Sequence, residues 1–82
     1  MPRTAQVTVR YWAAARAAAG LDADTHAGDT VGAVLDAAVA VHPDLGRVAA
    51  VSSLLLDGRA TQRSAPVADG VTLEVLPPFA GG

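Results

Sequence analysis

The chain contains no cysteine and no lysine, and only one residue each of Trp, Tyr and Phe. Without cysteine there is no disulfide framework, thiolate zinc site, iron–sulfur cluster or thiol nucleophile. Without lysine there is no Schiff-base chemistry and no phosphate-loop lysine. The two histidines, His26 and His42, flank a predicted helix at no metal-ligand spacing. They read as surface or capping residues, and no metal site is expected. Long apolar runs are also missing. Trp12–Ala19 is broken by Arg16 and is too short to span a bilayer. The opening MPRTAQVTVRYW is interrupted by Gln6, Thr8 and Arg10 and has no signal-like apolar core, so a cytoplasmic location is expected.

What remains is a small domain of 82 residues, 51% hydrophobic and 17% charged, which is apolar enough to fold by packing alone. Its net charge of −2 and dispersed arginines argue against nucleic acid as the main partner.

Val7, Val9 and Tyr11 alternate with Thr8 and Arg10, the period of a half-buried strand. Ala13–Ala19 then favours a short helix, with Gly20 placed for a left-handed C-cap. A weak strand fits near Asp24–Ala27. Asp29 and Thr30 are N-cap residues for a longer helix with an apolar stripe of Val31, Val34, Leu35, Ala38 and Val41. His42-Pro43 ends it. After a loop containing Gly46, Ser53–Leu56 reads as a buried strand. Asp57-Gly58 turns it into a returning strand at Arg59–Gln62. Asp69-Gly70 opens a last strand, alternating at Val71, Leu73 and Val75, which Pro77-Pro78 stops. The order predicts an α+β fold: a mixed sheet with one main helix across one face and a short helix after strand one. The matched lengths of the first and last strands suit a central last strand paired to the first.

Catalytic constellations are not evident. Ser52, Ser53 and Ser64 lack a nucleophile-elbow context. The carboxylates of Asp29, Asp57 and Asp69 stand at caps and turns, where local backbone chemistry explains them. Tyr11 reads as core, and Trp12 is assigned no functional role. The ending differs. Phe79-Ala80-Gly81-Gly82 follows a proline brake, and its apolar residues do not suit an idle polar tail. Four extended residues reach about 13–14 Å, and two glycines can thread a channel too narrow for side chains. Such an ending delivers a carboxylate into another protein's active site, where it needs activation, for instance as an acyl-adenylate.

Together these residues resemble the MoaD/ThiS family of ubiquitin-like sulfur carriers, most closely its molybdopterin synthase small-subunit branch. The resemblance is carried by Val9-Arg10-Tyr11-Trp12-Ala13-Ala14-Ala15-Arg16, Gly28-Asp29-Thr30-Val31, Leu56-Asp57-Gly58, and Asp69-Gly70 through Leu76-Pro77-Pro78 and Gly81-Gly82. It implies a β-grasp fold at residues 1–78 and a flexible Gly-Gly tail at 79–82. It also implies a non-catalytic, sulfur-donating subunit with no cofactor of its own. A ubiquitin-activating-like adenylyltransferase (MoeB type), using ATP and magnesium, would adenylate Gly82. A sulfur donor enzyme would then supply the sulfur of a Gly82 thiocarboxylate. The large molybdopterin synthase subunit (MoaE type) would accept Phe79, Ala80, Gly81 and Gly82 and use that sulfur for the dithiolene. Partner contacts are expected on the sheet face away from the helix, with Phe79 anchoring the tail's root. Phe79 departs from the smaller aliphatic residue common there, and Asp57 from the usual asparagine. The absence of lysine disfavours a ubiquitin-like chain with its own acceptors. Two alternatives stand beside this reading: a carrier for thiamine or cysteine-type synthesis, and a non-covalent ubiquitin-like binding module.

Overall fold

Alternation along the first strand sets the fold. In the computed structural model, which describes residues 4–78, β1 (Ala5–Tyr11) turns Val7, Val9 and Tyr11 into the core, each at most 2% exposed. A short helix α1 (Ala13–Ala19) follows and closes on Gly20, whose φ of 83° is the expected left-handed cap. Then come β2 (Ala23–Gly28), α2 (Val31–Val41), α3 (Leu45–Ala49), β3 (Ser53–Leu56), β4 (Arg59–Ala60) and β5 (Thr72–Leu76). The five strands form one sheet in the order β2-β1-β5-β3-β4. β1 and β5 pair in parallel at its centre, and every other pairing is antiparallel. With α2 packed on one face, this is the α+β, β-grasp arrangement expected.

The core lies between that face and the helices. Val7, Val9, Leu73 and Val75 meet Val31, Val34, Leu35 and Ala38. The first turn of α2 is held in place by satisfying its donors: Val31 N–H to Ala65 O, Gly32 N–H to Arg63 O, and Ala33 N–H to the Thr30 hydroxyl. Gly28 enters this junction where a Cβ would stand 2.8 Å from the Val34 backbone nitrogen.

Three expectations need correction. The segment around Gly46 is a helix, α3, not a loop. Its weak propensity is overridden by tertiary packing, with Leu45 and Ala49 one turn apart, both buried, on an element that packs against α1. The returning strand stops at Ala60 rather than Gln62, because the following residues turn away to bring the carbonyls of Arg63 and Ala65 onto α2. Val41 is 61% exposed rather than part of the buried stripe. At about 100° per residue it falls roughly 70–80° off the line through Val31 and Ala38.

Leu35→Ala is expected to cost about 2–5 kcal/mol of stability, whereas Val41→Ala leaves the urea midpoint near the parent's. Gly28→Ala should destabilise by about 1–3 kcal/mol, since the obstructing atom belongs to helix backbone; urea denaturation checks all three.

Candidate functional site

Parallel pairing of β1 and β5 makes both strands end at the same edge, with Tyr11 opposite Val75. The next residue, Trp12, donates its backbone N–H to Val75 O at 3.2 Å. Its indole Nε1–H donates to Glu74 Oε1 at 3.0 Å, and the Arg10 guanidinium carbon stands 5.3 Å from the ring centroid. Arg10 and Glu74 are themselves directly opposed in the sheet. A cation–π contact and a charge-assisted hydrogen bond therefore orient one large ring that remains 41% exposed. Ala13, at φ 50°, turns the chain sharply out of the strand immediately afterwards.

Thr8, Arg10, Ser53, Leu55, Thr72 and Glu74 alternate with core residues in their strands, so they line the face away from α2. β5 ends at Leu76 on that face, at the same edge where Trp12 bonds Val75 O, and Pro77-Pro78 follows. Trp12, given no role from sequence, thus sits at the root of the tail. Phe79, Ala80, Gly81 and Gly82 lie outside the described residues.

A second polar constellation lies on the opposite face. The β1–β2 register sets His26 against Val7 and Asp24 against Val9, so both point toward the helix side. His42, the C-cap of α2, lies about 20° round the helix from Val31 and reaches the same carboxylate. His42 Nε2 is 2.6 Å from Asp24 Oδ2, and His26 Nε2 is 2.9 Å from Asp24 Oδ1. The Tyr11 hydroxyl donates to Asp24 Oδ1 at 2.6 Å. The two imidazoles meet edge to face with centroids 6.1 Å apart. Burial alone would raise the Asp24 pKa; the hydrogen bonds from His42 and Tyr11 and the proximity of His26 outweigh it and hold the carboxyl below its usual range. The Tyr11 phenol is pushed up by burial first, then by its bond to Asp24 and that group's charge.

The histidines are therefore neither separated nor superficial: their side chains are 9% and 15% exposed. Two sequence signals point to the cluster. Asp24 and His26 are two apart on a strand, and His42 extends the helical stripe eleven residues beyond Val31.

The remaining candidates serve structure. Ser52 Oγ donates to Val48 O at 2.7 Å, while the Asp57 and Asp69 carboxylates accept from the backbone N–H groups of Thr72 and Gln6. Among the described residues, no helix is long and apolar enough to cross a membrane.

The model of the ThiS family matches residues 9–82, which is nearly the whole chain and includes its Gly-Gly ending. The chain belongs to the ThiS family of ubiquitin-like sulfur carriers. Solved structures place this ThiS-family chain among close folds. SAMP1 of Haloferax volcanii is 30% identical over 94% of this chain and 99% of its own, with a TM-score of 0.83. A putative molybdopterin converting factor subunit 1 from Pyrococcus furiosus is 22% identical over 93% and 100% of the two chains, with a TM-score of 0.82. A complex of subunits 1 and 2 of molybdopterin-converting factor from Helicobacter pylori matches at 20% identity, covering 94% and 99%, with a TM-score of 0.70. The last two likenesses concern the fold. A search of curated proteins gave no match.

Tyr11→Phe removes one charge-assisted donor while leaving His42 on Asp24. It should lower stability by about 1–3 kcal/mol, read as a shifted urea midpoint with unchanged slope.

Proposed function

We propose that this ThiS-family chain carries sulfur as a thiocarboxylate on Gly82 and serves as the small subunit of a molybdopterin synthase. The observation that supports it most is the family match running through Gly81-Gly82, on a body whose central strand ends beside an open face. An adenylyltransferase holding ATP and magnesium converts the Gly82 carboxylate to an acyl-adenylate and releases pyrophosphate. Hydrosulfide supplied by a donor enzyme then attacks the acyl carbon, forming the C–S bond as the C–O bond to AMP breaks, so that AMP leaves and Gly82 ends as a thiocarboxylate. Carboxylate oxygen is a poor nucleophile and a poor leaving group, so activation precedes transfer.

The carrier's own contribution is delivery. Phe79 and Ala80 bridge the body and the glycines, and Gly81 and Gly82 enter the partner's channel without side chains to obstruct them. Docking holds the sulfur at the partner's reacting centre, which replaces a bimolecular encounter by a positioned one. The large synthase subunit supplies the catalytic groups, and the chain alone is not an enzyme. The Helicobacter complex of subunits 1 and 2 supports a partner of that kind. The partner's landing surface is the sheet face carrying Arg10, Trp12 and Glu74, where Trp12 offers a pre-oriented aromatic anchor.

A second reading is favoured by the likeness to a small archaeal modifier protein. Both share the adenylate and part at the nucleophile: sulfur yields a carrier, and an amine of another protein yields a conjugate. Thiamine-type or cysteine-type synthesis differs only in the acceptor.

Incubation with the activating enzyme, ATP, magnesium and a sulfur source should give an intact mass in which one oxygen is replaced by one sulfur, localised to Gly82. Deleting Gly81-Gly82 should abolish that product. Amide-linked adducts without thiocarboxylate would favour the modifier, and recovery of a thiazole synthase rather than the large synthase subunit would reassign the pathway. Trp12→Ala and Phe79→Ala are each expected to weaken binding to the large subunit by about 1–3 kcal/mol in calorimetric titration, with the fold intact by circular dichroism.

A further inference from the structure

We propose that Asp24, His26 and His42 form a binding site for a single divalent transition-metal ion, with zinc as the ion whose coordination chemistry fits best. One donor atom from each residue lies within 4.8 Å of the others. The donors come from the edge strand β2 and from the C-cap of α2, so a bound ion would tie the edge of the sheet to the end of the main helix. Two imidazole nitrogens and one carboxylate oxygen are a zinc ligand set, with bonds near 2.0–2.2 Å and a fourth position for water.

Hydrogen bonding within the cluster leaves one group over. Asp24 Oδ1 is taken by the Tyr11 hydroxyl, and Oδ2 by His42. His26 Nε2, on a side chain only 9% exposed, lies 2.9 Å from Oδ1 but has no hydrogen-bond partner. A buried unsatisfied nitrogen is costly, and an ion between the three groups would satisfy it. Tetrahedral donors around zinc stand roughly 3.3 Å apart. His42 Nε2 is 2.6 Å from Oδ2 and His26 Nε2 is 2.9 Å from Oδ1. With one donor per residue all lying within 4.8 Å, side-chain shifts of about 1–1.5 Å reach that spacing. Tyr11 then keeps a positioning role, orienting the carboxylate from outside the ligand set. The inference is independent of the tail and of the sulfur chemistry proposed for it.

The test uses the untagged, metal-free full chain titrated with zinc chloride at neutral pH by calorimetry, and with cobalt(II) by absorption spectroscopy. One equivalent should bind saturably, cobalt should show the intense visible bands of a four-coordinate site, and the melting temperature should rise with zinc. His26→Gln and His42→Gln should each weaken zinc binding at least about tenfold. Should either variant misfold, the imidazole NMR signals of the parent chain give the answer, since zinc must shift those of His26 and His42 together. No saturable binding at millimolar zinc, binding undiminished in both variants, or a shift confined to other residues would overturn the site.

Discussion

Parallel pairing between the first and last strands is the constraint on which the rest depends. A parallel pair cannot be made by a hairpin; it requires the intervening chain to cross the sheet and return. Here that crossing includes α2, and the apolar sides of β1 and β5 form the floor on which the helix packs. The same pairing sets which groups meet at the end of the central strands. Because both central strands run in one direction, the end of the fold and the Arg10–Trp12–Glu74 arrangement emerge together. In the proposed function, this arrangement presents the terminus and the Arg10–Trp12–Glu74 face to a partner from one edge.

The energetic division of labour is plain in the residue types. Stability comes from valine, leucine and alanine in a thin core, helped by carboxylates that tie turns to neighbouring strands. Asp57 reaches Thr72 N–H and Asp69 reaches Gln6 N–H, so each turn also secures one of the two central strands. Polar chemistry is pushed to two margins. One is the open sheet face beside the tail's root, and the other is the Asp24–His26–His42 cluster at the opposite edge of the helix-covered face.

What the sequence made legible was local. Alternation at Val7, Val9 and Tyr11, the Gly20 cap, the Thr30 start and the Asp57-Gly58 turn each express chemistry complete within a few residues, and all stand where expected. What it hid was long-range. The helix at Leu45–Ala49 is held by packing on a segment some thirty residues earlier, which propensity does not encode. Linear spacing hides the histidine cluster: His26 and His42 are sixteen residues apart, and only strand pairing and helical phase bring them onto one carboxylate. Sequence alone assigns Trp12 no functional role, because its partner Glu74 lies 62 residues away and comes beside Trp12 and Arg10 only through the parallel pair. The Gly-Gly ending was legible as chemistry from sequence alone, and Phe79–Gly82 stand outside the described residues.

The central claim is that the last carbonyl of the chain is its reactive group and that the folded body only presents it. It is tested most directly by comparing cofactor assembly by the native chain with that by semisynthetic chains whose Gly82 is amidated or carries one added residue. The account predicts full turnover for the native terminus and none for either altered one while binding to the large subunit persists. Equal turnover from an altered terminus that mass spectrometry shows untrimmed would contradict it.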